Sequence, residues 1–327
     1  MQKITYTIRI ILLMLCVLCT TGNMQAAIRT VTNAKADNSE GSLLSIFQNL
    51  EDDDVIEFAD ELKDQTIEFG TNEFGPLNAN TFSLTMIGNG VTISGGYPMF
   101  VTASLRMENM RFKDSSISFF TTKSAHIKNC IFFTTKEADN ALSEMYMGVF
   151  VENGASIFEN CAFMAKDANR RSVSLSVQDN TSFISCTFYK KSYTPAKKFS
   201  DQSLITITNT NITAQLTNCV IMDSNTSKAT FSNTSKVLSR GYNVILPGSQ
   251  SPITALTPVS GSVQSDVILE QESPLPLTWD EDIWKVPTTS PAYRHLPMQS
   301  VLKTDDLLND VAFPATDLAG NGIDYTC

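Results

Sequence analysis

Five segments of this chain carry one three-slot pattern, and that pattern limits what the chain can fold into. They are "LRMENMRF", "HIKNCIFF", "IFENCAFM", "SFISCTFY" and "QLTNCVIM". Align them on Asn109, Asn129, Asn160, Ser185 and Asn218. Two residues before stand Met107, Ile127, Phe158, Phe183 and Leu216. One after stand Met110, Cys130, Cys161, Cys186 and Cys219, and three after stand Phe112, Phe132, Phe163, Phe188 and Ile221. Every slot is apolar or cysteine. The two slots after the aligned residue share one face of a strand, because side chains alternate. The slot before it falls on the opposite face unless the chain bends at the aligned residue. Asparagine suits that bend, since it tolerates left-handed backbone better than most residues. Each segment therefore reads as strand, corner, strand. The corners lie 20, 31, 25 and 33 residues apart, a period that marks units stacked on their neighbours.

The repeated cysteine has three readings: a buried thiol ladder, disulfides, or a metal site. Export would permit disulfides, and zinc would need four ligands converging tetrahedrally. Stacked rungs instead set equivalent residues in a line about 4.8 Å apart. Methionine in the same slot at Met110 accords with the ladder, in which cysteine serves as a small buried hydrophobe.

These segments resemble rungs of secreted bacterial right-handed parallel β-helix proteins, the pectate-lyase-like and polymorphic-outer-membrane-protein-like group. "EGSLLSIFQNLEDDDVIEF", residues 40–58, resembles the opening segment, with Leu43, Ile46, Phe47 and Leu50 at helical spacing. "IGNGVTISGG" at 87–96 resembles an early rung turn, "SRGYNVI" at 239–245 and "TSPAY" at 289–293 the late-rung and exit segments, and "DLAGN" at 317–321 a terminal turn. The resemblance implies an all-β fold, a right-handed parallel β-helix with an N-terminal capping helix. It says less about chemistry, because one fold carries many functions.

The chain opens with Lys3 and Arg9, the apolar run "IILLMLCVLC" and then "TTGNMQAA". That is the layout of a signal peptide over residues 1–26. The run is short of the roughly 20 residues a membrane span needs, and no later segment is apolar enough to span. Cys16 and Cys19 raise lipid anchoring, although leucines precede both where a lipobox prefers a small residue. Without residues 1–26 the chain has 22 Lys and Arg against 34 Asp and Glu, a net charge of −12. That balance argues against nucleic acid as a partner. The expected organisation is a cap over 27–61, rungs over 62–246 and a closing segment over 247–327, where nine of the twelve prolines lie. The expected location is the exterior or the bacterial cell surface.

Chemistry is harder to find. His126 and His295 are the only histidines, and neither has an evident carboxylate partner in the sequence. Glu108, Lys128 and Glu159 align as a charge ladder on a solvated face. "EDDDVIEF" lacks the alternating ligand spacing of a calcium loop and reads as a turn. The sequons at Asn180, Asn211, Asn225 and Asn233 arise from composition. Insertions just after the last slot supply Arg170 and Arg171, then Tyr189, Lys190, Lys191, Tyr193, Lys197 and Lys198. On one edge of a coil these would form a basic stripe with aromatics, suited to an acidic glycan or a surface protein. Solvated loops kept charged for solubility account for the same residues. The expectation is a non-catalytic binding protein without cofactor. The alternative is a polysaccharide lyase acting on acidic glycans, for which the resemblance would add calcium.

Overall fold

The computed structural model describes residues 26–69, 76–96, 99–134, 148–165, 173–175, 180–190, 203–223, 229–248, 253–262, 266–269, 278–280 and 283–285. From Val55 to Ile268 the described chain alternates between two long sheets, and every rung pairs in parallel with the next, while Thr278–Asp280 and Ile283–Lys285 pair antiparallel with each other. The first sheet runs Ile28–Val31, Val55–Phe58, Pro76–Ile87, Met99–Glu108, Ser116–Lys128, Gly148–Glu159, Thr181–Ile184, Ala214–Thr217, Val237–Gly241 and Thr257–Pro258. The second runs Thr66–Glu68, Thr92–Ser94, Arg111–Lys113, Ile131–Thr134, Ala162–Ala165, Thr187–Lys190, Val220–Asp223, Val244–Leu246 and Val267–Ile268. The chain is a parallel β-helix. Its crossovers follow the right-handed rule for parallel connections.

Two further strands show how the coil turns. Val173–Leu175 pairs with the first half of Gly148–Glu159, while Thr181–Ile184 pairs with its second half. Ile205–Ile207 continues the first of these tracks. The long strands of the early rungs are thus split into two in later ones. Where the long strand Gly148–Glu159 shifts register against its neighbour, Gly154 has φ +74, and a Cβ there would meet the Thr121 carbonyl oxygen at 2.7 Å. Glycine is required at that position.

The sheets meet at a corner where each rung spends one residue in left-handed backbone. Asn109, Asn129, Asn160, Ser185 and Asn218 have φ of 56, 52, 49, 53 and 53°. Asp64, Gly90 and Tyr242 take the same corner in the flanking rungs, at φ 56, 97 and 62°. The side chains are linked from rung to rung. Asn129 Nδ2 donates to Asn109 Oδ1 at 3.2 Å, and Asn160 Nδ2 to Asn129 Oδ1 at 2.8 Å. Asn218 Nδ2 donates to Ser185 Oγ at 2.9 Å. Corner amides also donate to the next strand, as Asn160 N does to Ile184 O at 2.9 Å.

All fifteen pattern residues are buried, none more than 5% exposed. The phenylalanines stack face to face up the second sheet. Ring centroids are 5.3 Å apart for Phe112–Phe132, 5.2 Å for Phe132–Phe163 and 4.9 Å for Phe163–Phe188. Phe158 and Phe183 of the first sheet stack at 5.2 Å and meet that column edge-on. Both arrangements suit the aromatic quadrupole. At the N-terminal end helix α1 (Leu43–Phe47) is capped by Ser42, whose Oγ accepts from Ser45 N at 3.1 Å. Leu43, Phe47 and Leu50 close the core there.

Strand length corrects one expectation. The second-sheet strands run two residues past the last pattern slot, to Thr134, Ala165, Lys190 and Asp223. The insertions therefore begin later than the pattern alone implied. Lys190 ends a strand, faces the same way as Phe188 and is 0% exposed. It is not on an exposed loop. It stands in register with Asp223, which is also 0% exposed, so opposite charges are neighbours inside the coil.

Candidate functional site

Beside the corner the first sheet turns charged residues outward. Register sets Glu108, Lys128 and Glu159 side by side on successive strands, with Arg106 and His126 two residues earlier on theirs. Arg106 Nε donates to Glu108 Oε1 at 2.7 Å. Glu159 is met by two groups. His126 Nε2 lies 3.1 Å from Oε2 and Lys128 Nζ 3.1 Å from Oε1. Glu159 is 1% exposed, against 35% for the His126 side chain and 30% for Lys128. The ladder is therefore not a uniformly solvated face. Glu159 is a buried carboxylate, and His126 has a carboxylate partner after all. The two are 33 residues apart in sequence, and the contact runs diagonally between adjacent rungs, which is why alignment by column did not reveal it.

The second sheet turns outward a column of Lys113, Phe133, Met164, Tyr189, Met222 and Leu246 in register. Arg111, Ile131, Ala162, Thr187 and Val220 form the column beside it. Phe133, Met164 and Tyr189 are half-buried, while Met222 and Leu246 are covered and pack with Val244 and Leu269. Burial pushes the Tyr189 phenol up. Arg111 is paired, its Nη1 3.1 Å from Asp64 Oδ1.

Of the two expected binding residues that are described, Tyr189 faces outward and Lys190 does not. Lys190 is interior, and Arg170, Arg171, Lys191, Tyr193, Lys197 and Lys198 lie outside the described residues, as do His295 and Cys327. Cys130, Cys161, Cys186 and Cys219 are buried free thiols. Each donates to the carbonyl two residues back on its own chain, at 3.2 to 3.4 Å. Burial pushes the Cys161 and Cys219 thiols up, favouring their neutral form. Among the described residues no three His, Cys, Asp or Glu side chains converge as a metal site would require. None of the helices described there is long and apolar enough to cross a membrane.

No family model and no curated protein matches the sequence. Among solved structures the chain is similar to the crystal structure of pectate lyase Pel9A, at 11% identity over 93% of this chain and 89% of that one, with a TM-score of 0.43.

Proposed function

We propose that this is an exported β-helix protein that binds an acidic glycan along the outer face of its second sheet without turning it over. The observation that carries the reading is the column in which the cation Lys113 leads into the half-buried Phe133, Met164 and Tyr189. A sugar ring offers an apolar face to such side chains, and its carboxylate is drawn to the cation. Stacked rungs repeat the same surface along the coil, which suits a polymer better than a single small molecule. A surface protein is the other occupant of such a flank.

The charged groups of the first sheet support binding over catalysis. A lyase needs a base held partly deprotonated near a substrate carbon. His126 and Lys128 are both engaged with Glu159, which leaves them poorly placed for that task. Retention on immobilised polyuronate tests the binding reading. Replacing Phe133 and Tyr189 by serine should abolish retention, and salt should weaken it, since exposed attraction is screened within about 8 Å at physiological ionic strength. Retention of the double variant equal to the parent sinks the reading. New ultraviolet absorbance from polyuronate incubated with the protein would establish the lyase alternative instead.

A further inference from the structure

The acidic run "EDDD" at residues 51–54 has a place in the structure that the binding reading leaves unused. Asp54 is 1% exposed. Its carboxylate receives Ala27 N on Oδ1 at 3.0 Å, and Arg29 Nε and Glu51 N on Oδ2, each at 2.9 Å. Burial pushes this carboxyl up, but the donors from Glu51, Arg29 and Ala27 outweigh it and hold it below the ordinary value. Glu51, Asp52 and Asp53 are exposed on the same turn. One arginine thus stands among four carboxylates, and the turn lacks positive charge. The donor to Oδ1 comes from the first residue after the leader-like stretch 1–26.

We propose that hydrolysis of the Ala26–Ala27 peptide bond turns this amide into an α-ammonium group paired with Asp54, so that export itself completes the first rung. Water's hydroxyl goes to the Ala26 carbonyl carbon, and its proton goes to the Ala27 nitrogen as the C–N bond breaks. A further proton from solvent gives the ammonium. The nitrogen is already at hydrogen-bond distance, so the charge forms in place, and a charge-assisted bond is about twice as strong as a neutral one. The rung it fixes needs fixing. Among the described residues Ile28–Val31 is the outermost strand of its sheet and pairs on one side only. Ala27 O accepts from Val55 N at 2.9 Å, and Asp54 O accepts from Thr85 N at 3.2 Å. One ion pair therefore ties the terminus, the acidic turn and the next two strands together.

The inference rests on the export reading, and the test separates the two. The titratable and charged groups around the new terminus are Asp54 and Arg29, with Glu51, Asp52 and Asp53 on the turn. Asp52 Oδ1 is engaged with Ser83 N at 2.6 Å. An α-amine ordinarily titrates near pH 7.7–8.0, and the adjoining carboxylate raises that value in the folded state. The added stability is therefore full below the ordinary range and is lost as pH rises through the folded value. Four chains are compared: one beginning at Ala27, the same with one glycine added ahead of it, and each of these two with Asp54→Asn. At pH 6 the Ala27 chain should melt about 2–4 °C above the glycine-extended one. The gap should close by pH 10 and be absent when both termini are compared in the Asp54→Asn background. Equal midpoints for the first two chains at pH 6 overturn the ion pair, and because both keep Asp54 the comparison stands even if Asp54→Asn fails to fold. Separately, the intact mass of protein exported from the full chain should begin at Ala27. Another first residue overturns the cleavage position. Absence of export overturns the export reading, while the midpoints still decide the pairing.

Discussion

The two sheets share a corner and an interior, yet they turn opposite faces outward. Beside the corner the first sheet presents Arg106, Glu108, His126, Lys128 and Glu159, which neutralise one another. The second presents Ile131, Phe133, Met164, Tyr189 and Val220, largely apolar. Stacking explains the interior, where each slot must match the one above and below it. It does not explain the exteriors, since equivalent positions could be polar on both sheets at no cost to the coil. A half-buried apolar column facing outward is the surface that the proposed binding would use. Partly exposed apolar patches of that kind mark contact surfaces.

The largest effect should come from disturbing what the two sheets share. Phe163 stacks on Phe132 and Phe188 and meets Phe158 and Phe183 edge-on. Phe163→Ala should cost about 3–5 kcal/mol in denaturant unfolding. A loss below about 1 kcal/mol would mean that the columns collapse freely and that the sheets do not share one packed interior.

That interior is legible in the sequence because every slot of each column is apolar or cysteine. Fifteen positions around five corners were enough to give the bend, the alternation and the stacking. The flanking corners at Asp64, Gly90 and Tyr242 fall outside the three-slot pattern because their residues differ, although all adopt the same backbone; Gly90 and Tyr242 lie in segments marked only by the family resemblance. The exteriors were far less legible. The Glu159–His126 contact joins residues at different distances from their corners, so comparing like with like misses it. Lys190 was misplaced because the pattern does not say where a strand stops; a lysine just past a phenylalanine looks like a loop until the strand is seen to continue through it.

An intermediate effect is expected at the corner. Asn160 is 7% exposed, donates to Asn129 and holds φ 49°. Asn160→Ala should lose about 1–3 kcal/mol by leaving a corner acceptor without its donor. Asn160→Gly separates the two contributions, because glycine keeps the backbone angle and removes only the amide. If glycine restores the parent midpoint, backbone geometry alone sets the corner and the amide ladder contributes nothing.

On the charged face the effect should be smaller. Glu159→Gln leaves His126 and Lys128 without their carboxylate, but both are about one-third exposed and regain water. The cost should be about 1 kcal/mol rather than the 3–5 kcal/mol of a fully buried pair. A double-mutant cycle with Lys128→Met measures the coupling directly. Coupling above about 3 kcal/mol would show that this face is sealed like the interior, and the contrast between interior and exterior would fail there.

The smallest change in stability should come from the apolar face, and there the loss should appear in binding instead. Tyr189 lies between Met164 and Met222 on the outer side of the second sheet and is half-buried. It therefore contributes less packing than Phe188 beside it, whose ring is wholly inside. Tyr189→Ser should lower stability by about 1 kcal/mol, a fraction of what burying a whole aromatic side chain is worth. If the column exists to hold a ligand, the same substitution should cut polyuronate retention severalfold at constant salt, while Glu159→Gln on the other sheet should leave retention unchanged. The opposite pattern, with retention sensitive to Glu159 and indifferent to Tyr189, would move the binding surface to the charged face. A Tyr189→Ser loss of about 3 kcal/mol or more, with unaltered retention, would make the outer column a second core under cover rather than a surface.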